Sequence, residues 1–277
     1  MSALLQYLIA RTAIKYRPLR KVSHTKTNVG RLIEAKGPKL KRKINAILSN
    51  AATEFAAQIV AKYEARLMKV STDDQAIIKQ ILEALEIDII SADIVDAITP
   101  EMIRAFKNAG IEGFASVGVT ASTAAAAKLD QAALDYVDRH GGQLIKDLAG
   151  TTMEDLRGVL SNAVEEGFSP GKLSNAIQEL GTFGDARGDM IARTELAFAH
   201  VAGNIDAWRE TGLVVGKEWH AYDNCCDRCL ELDGVIVDLD EEFPNDGGDG
   251  PPLHPNCECS ILSVKADAPD EGDTEEE

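Results

Sequence analysis

The sequence predicts a mainly α protein: a helical body followed by a small α+β C-terminal domain stapled by a Cys/His site. Three observations predict it. Up to Gly212, apolar residues recur at three- and four-residue steps between turn signals. Aromatic residues make up only 5% of the chain while Ala, Ile and Leu are plentiful, a mix that suits helices and is poor for sheets. All five cysteines (Cys225, Cys226, Cys229, Cys257 and Cys259) lie in the last fifth of the chain, among short β-like runs. The 277 residues are enough for one or two domains with a sizeable core, and 45% hydrophobic residues exclude wholesale disorder.

Ala3–Tyr16 reads as a short amphipathic helix stopped by Pro18. Arg17–Lys43 is rich in Lys and Arg and contains Gly30, Gly37 and Pro38, so an arm or linker with broken helix is expected. From Ile44 to about Val70 the positions Ile44, Ile47, Leu48, Phe55, Ile59, Tyr63 and Leu67 form one buried stripe of a long helix. Ser71–Asp74 ends it and caps the next helix, Asp74–Ile90. A further helix is expected after Pro100, a residue suited to a first helical position, and a fourth over Thr123–His140, ending at Gly141-Gly142. Thr152–Gly167, Ser169–Gly181 and Asp185–Thr211 follow as helices, the last closed by Gly212. Beyond it, Lys217–Tyr222, Gly234–Val237 and Ser260–Val264 are candidate strands. The tail from Lys265 is acidic and without apolar periodicity, so disorder is expected there. The division expected is a basic N-terminal arm (1–43), a helical domain (44–150), a C-terminal domain (151–265) and an acidic tail (266–277).

The net charge of −16 is unevenly spread. Residues 1–43 hold 12 Lys/Arg against one Glu, whereas residues 220–277 hold 18 Asp/Glu against 2 Lys/Arg. The basic arm either lies on the protein's own acidic body or binds an anionic partner, packaged DNA or an acidic protein face. No stretch approaches the roughly 18–20 apolar residues that span a bilayer, so no membrane partner is expected. Met1–Ala10 lacks a leading basic segment and a small-residue cleavage site, which points to the cytoplasm of the producing cell.

The chemistry is concentrated in Cys226-x2-Cys229, then 24 residues, then His254-Pro-Asn-Cys257-Glu-Cys259. Two thiolates separated by two residues can hold one cation from a tight turn, and His254-x2-Cys257 offers the second pair of a tetrahedron. Zinc held by Cys226, Cys229, His254 and Cys257, with Cys259 as a substitute ligand, is the arrangement this spacing favours. A reduced thiol cluster and disulfides are the alternatives. Such a site would be structural, because loops this short bury little apolar surface.

The run His220-Ala-Tyr-Asp223-x-x-Cys226-x2-Cys229-x-x-Leu232-Asp-Gly234, followed by Pro251-Pro-Leu-His254-Pro-Asn-Cys257-Glu-Cys259, resembles the signature of the phage Mu protein F-like family of head morphogenesis (minor capsid) proteins. Ile191-Ala-Arg193-Thr194-Glu195 resembles that family's lead-in helix, and the resemblance covers about residues 150–265. Two departures stand out: Glu258 replaces a usual Arg, which puts anion binding by that turn in doubt, and Cys225 is an extra thiol. The resemblance implies a non-enzymatic virion protein of the phage head interior, present in few copies and in the host cytoplasm during assembly. It implies association with the portal and other capsid proteins, and a part in head assembly or genome delivery.

The rival reading is a zinc-supported nuclease acting on phage DNA, with His220 or His254 as general base. No paired His or Asp-His on a strand leads into such a core. Arg193 and Glu195, two apart on a helix, point to different sides and suit ion pairing or capping better than catalysis. His24, His140 and His200 are read as surface or hydrogen-bonded helix residues.

Overall fold

The computed structural model describes residues 27–67, 74–85, 87–140 and 143–265. The helix expected over Ala3–Tyr16, most of the basic arm, His24 and the acidic tail lie outside the described residues. The described chain is mainly α, with helices α1 (Asn28–Leu67), α2 (Asp74–Glu83), α3 (Ile87–Ser116), α4 (Thr123–His140), α5 (Gln143–Glu166), α6 (Pro170–Gln178) and α7 (Asp185–Thr211). A 3₁₀ turn, Gly181–Phe183, precedes α7. Then come β1 (Val214–His220), the short helix α8 (Asp227–Leu232), β2 (Ile236–Asp238) and β3 (Ser260–Lys265). No helix among the described residues is long and apolar enough to cross a membrane.

The expected broken helix before Lys43 is corrected: from Asn28 onward it is the start of the 40-residue α1. Val29, Ile33 and Leu40 are buried in phase with Ile44, Leu48, Phe55, Ile59 and Tyr63, so one apolar stripe runs through the charged stretch. Pro38 is exposed inside the helix, where water can take over the carbonyl its missing N–H leaves without a ladder partner.

A second correction concerns Pro100, which lies inside α3 instead of opening it. Buried Ile90, Ile94 and Ile98 continue into Met102 and Ala105, and this uninterrupted stripe outweighs one lost backbone bond. The helix expected over Asp74–Ile90 is split, α2 ending at Glu83 and the Leu85 amide folding back onto the Leu82 carbonyl at 3.0 Å. The Asp185–Thr211 helix ends as expected, with Gly212 at φ +64.

The chain divides into two units, whose boundaries fall inside α1, α3, α4 and α7. One unit comprises residues 32–103 and 135–196. In it the Tyr63 hydroxyl donates to the Ala163 carbonyl (2.9 Å), Phe55 meets Phe183 edge-on, and the Thr152 and Thr182 hydroxyls pair at 3.1 Å. Glu195 is fully buried, with the His140 Nε2 at 3.3 Å, while Arg193 faces Asp189 at 3.9 Å; the two motif residues thus have separate partners.

The other unit takes residues up to Arg31, 104–134 and 197 onward. Gly203 of α7 sits against the Phe106 backbone of α3 so closely that a Cβ would overlap the Phe106 carbonyl. Trp208 donates from Nε1 to the Ser116 hydroxyl (3.1 Å), closing the same helix pair. The three-stranded antiparallel sheet follows, in the order β2-β1-β3. In its register Trp219 faces Ile261, His220 faces Ser260 and Lys217 faces Val237. Trp219 is fully buried and meets Phe243 edge-on at 5.2 Å, which seats the 239–252 loop on the sheet. His200 departs from the reading of a hydrogen-bonded or surface residue: it is buried, and its Nε2 has no hydrogen-bond partner among the described residues.

Candidate metal centre

Two chain segments, both in the unit that contains the sheet, build the centre. The first leaves β1 at His220 and turns at once. The Asp233 carboxylate accepts the Ala221 amide (2.9 Å), the Gly234 amide returns to the Trp219 carbonyl (2.8 Å), and Gly234 takes φ +74. The Leu-Asp-Gly triplet thus closes the loop that carries the thiols: Asp233 supplies the acceptor and Gly234 the left-handed backbone.

Inside that loop the Cys225 amide bonds to the Tyr222 carbonyl (2.9 Å), and Cys226 occupies the N-cap of α8. Cys229 follows three residues later on the same helical face, fully buried, whereas Cys226 is exposed. The sequence reading expected a tight turn here; a six-residue helix serves the same end, since one helical turn brings i and i+3 together.

The second segment is His254–Cys259. Asn256 adopts φ +64 and the Cys257 amide bonds to the His254 carbonyl (3.2 Å), a turn that presents His254 and Cys257 side by side. Cys257 and Cys259 are both buried.

All five expected ligands come together. Cys226, Cys229 and His254 form one group and Cys229, Cys257 and Cys259 another, with the donor atoms of each group within 4.8 Å of one another and Cys229 common to both. His254 Nε2 lies 3.3 Å from the Cys226 sulfur and 3.5 Å from that of Cys229, and the Cys229 and Cys257 sulfurs are 3.8 Å apart. A tetrahedral zinc ion with bonds of about 2.3 Å to sulfur and about 2.0 Å to nitrogen would set its ligands about 3.8 Å (S···S) and about 3.5 Å (S···N) apart. These three separations match such an ion; Cys257 reaches the Cys226–His254 pair through Cys229 and must close in to complete the tetrahedron, and the five thiols are free of disulfides.

The orientation of His254 adds to the fit. Its Nδ1 lies 2.8 Å from the Pro255 carbonyl, which can only accept, so Nδ1 carries the proton and Nε2 faces the sulfurs. Cys259 is supported by the Tyr222 amide, 3.5 Å from its sulfur. Cys225 belongs to neither group.

The protonation pattern shows what a cation would replace. The Cys229 and Cys259 thiols donate toward Cys257 and hold it well below the usual thiol range. Cys229 is pushed up by its contacts with Cys257 and Cys259 and by burial. At Cys226 desolvation acts upward, but the Cys229 and Arg228 amides and the His254 ring bring the thiol below its ordinary value. Burial pulls His254 down, yet the Pro255 carbonyl and the Cys257 and Cys226 sulfurs outweigh it and leave the ring above its ordinary value. The sulfurs and the His254 ring thus share protons at close range, an arrangement in which a divalent ion can take the place of the shared protons. A cavity of about 220 Å³ adjoins it, lined by Cys226, His254, Cys257 and Cys259 together with Tyr222 and Glu258.

His220, the other histidine weighed for catalysis, ends β1 opposite Ser260 and is in neither donor group. Sequence reasoning missed Lys217. Its side chain is fully buried beside the Phe243 ring, its Nζ lies 3.8 Å from Asp249, and burial lowers its pKa. The signal available was its place between Gly216 and Trp219 in a strand.

A curated relative, the uncharacterized protein YqbB of Bacillus subtilis (strain 168), is 26% identical over 121 residues, 38% of this chain and 40% of that protein. The chain therefore matches about two fifths of that relative's length. No solved structure matches. Residues 154–262, from within α5 to β3 and including every thiol of the centre, match the family model described as Phage Mu protein F like protein.

Proposed function

We propose that the chain is a minor structural protein of a tailed-phage head, which enters the procapsid through the portal and serves head assembly or genome delivery without catalytic turnover. The observation that carries this reading is the coincidence of the family match with the part of the chain that folds around the Cys/His centre. Portal and other capsid proteins are the partners the reading implies, with packaged DNA a further partner of the basic arm, residues 1–43. The protein resides in the host cytoplasm during assembly and in the head interior of the virion.

We also assign the centre to a structural zinc ion held by Cys226, Cys229, His254 and Cys257, with Cys259 the alternative fourth ligand. The sulfur and nitrogen separations and the protonated Nδ1 of His254 support it. Bound there, zinc supplies a crosslink between the α8 loop and the His254–Cys259 turn. Cys229 and Cys257 anchor it from the buried side, and the Pro255 carbonyl keeps Nε2 turned inward.

Deleting the gene from the phage tests the function. The expected result is a fall in DNA-filled or infectious heads with DNA replication intact, restored by the full chain. Normal heads of full infectivity without the gene overturn the reading. Metal-dependent DNA cleavage by the purified protein, lost in His254→Ala, favours the nuclease instead.

A further inference from the structure

Thr27 joins the start of α1 to the Cys/His centre. It is 3% exposed, and its hydroxyl accepts the Gly30 amide (2.9 Å) while the Arg31 amide bonds to its carbonyl (3.0 Å), an N-cap in the ordinary sense. The same hydroxyl donates its proton at 2.5 Å to the carbonyl of Glu258, 231 residues away. Glu258 is the residue between Cys257 and Cys259, both of them buried in the sulfur cluster.

The turn that offers this carbonyl depends on its sulfurs. Around it, the Cys257 amide is bonded to the His254 carbonyl, Asn256 sits at φ +64, and the Cys259 sulfur takes the Tyr222 amide. Of the two neighbours of Glu258, Cys259 is held at its sulfur by the Tyr222 amide and Cys257 both at its amide and by the Cys229 sulfur 3.8 Å from its own, so whatever fixes those thiols also aims the Glu258 carbonyl.

We propose that the state of the Cys/His centre sets whether the first turn of α1 is capped: a divalent ion bound to the thiols locks the Cys257–Cys259 turn, and Thr27, as a positioning residue, passes that order to α1. The inference rests on the metal reading above. Its consequence lies at the start of α1, next in sequence to residues 1–26, which carry six of the chain's 29 Lys/Arg. Metal occupancy then fixes or frees the first turn of α1, the described turn that follows this basic segment in sequence. The identity of the Glu258 side chain does not matter to the link, because the acceptor is its backbone.

Hydrogen exchange read by mass spectrometry on the full chain tests this, with zinc content measured on the same samples. The probes are the peptides covering residues 27–33 and 254–259, before and after a chelator. With zinc bound, exchange at 27–33 is expected to be slow. Removing the ion speeds it about fivefold, the effect of losing one N-cap bond. Thr27→Val keeps its zinc, exchanges at the faster rate throughout and loses the response to chelator, while Thr27→Ser behaves like the wild type. If the chelator strips zinc and loosens 254–259 but leaves 27–33 unchanged, the coupling is overturned and the metal reading stands. A Thr27→Val chain that still responds to the chelator at 27–33 also overturns it. Protein that never holds zinc overturns both.

Discussion

Acid should weaken this fold through one buried ring. His200 on α7 is 3% exposed, its Nε2 has no hydrogen-bond partner among the described residues, and burial, with Arg31 as a second cause, pulls its pKa from 6.5 to about 4. The folded protein therefore keeps the ring neutral at a pH where the unfolded chain has already taken up a proton. Stability is fully present above about pH 6.5, falls as the pH drops toward 4, and levels off below that, where both states are charged. A shift of this size corresponds to about 3 kcal/mol. Urea denaturation of the wild type and of His200→Leu at pH 7.5, 5.5 and 4 isolates the effect, because the carboxylates titrate alike in both chains. The wild-type advantage over the variant should shrink by about 3 kcal/mol between pH 7.5 and 4. Parallel stability curves would refute the reasoning.

Three other outcomes follow from the geometry. Gly203→Ala puts a methyl against the Phe106 backbone, which cannot rotate away, and should lower stability by at least about 2 kcal/mol in the same assay. Tyr63→Phe removes the hydroxyl bonded to the Ala163 carbonyl and should cost about 1 kcal/mol, with the ring packing kept. Elemental analysis should find one zinc per chain. Cys229→Ser, which breaks the donor shared by both groups, should lose the metal and make the remaining thiols reactive, while the far-ultraviolet circular dichroism of the helices changes little.

What the sequence made legible was whatever short-range chemistry decides. Thr123–His140 and Asp185–Thr211 could be bounded from their caps and from Gly212, because a helix end is a local event. The thiols and His254 could be grouped from spacing alone, since i and i+3 meet on any helical turn. The extension of α1 to Asn28 was hidden because Lys, Arg and Pro38 advertise a linker, whereas the deciding residues, Val29, Ile33 and Leu40, are few and must be matched in phase with Ile44. Pro100 misled for a similar reason: its local preference for a helix start gave way to the burial of Ile98 and Met102 on either side. The inward turn of His254 and the Thr27 bond to Glu258 were beyond sequence reasoning altogether. One rests on a ring orientation set by a carbonyl, the other on a contact 231 residues long.

The central claim is that this chain is built into phage heads, and quantitative mass spectrometry of purified particles tests it most directly. The account predicts the chain in DNA-filled particles at a few copies per head, in constant ratio to the portal protein across preparations. Its absence from particles that carry their full set of portal and major capsid protein, while it is abundant in the infected-cell lysate, would contradict the account.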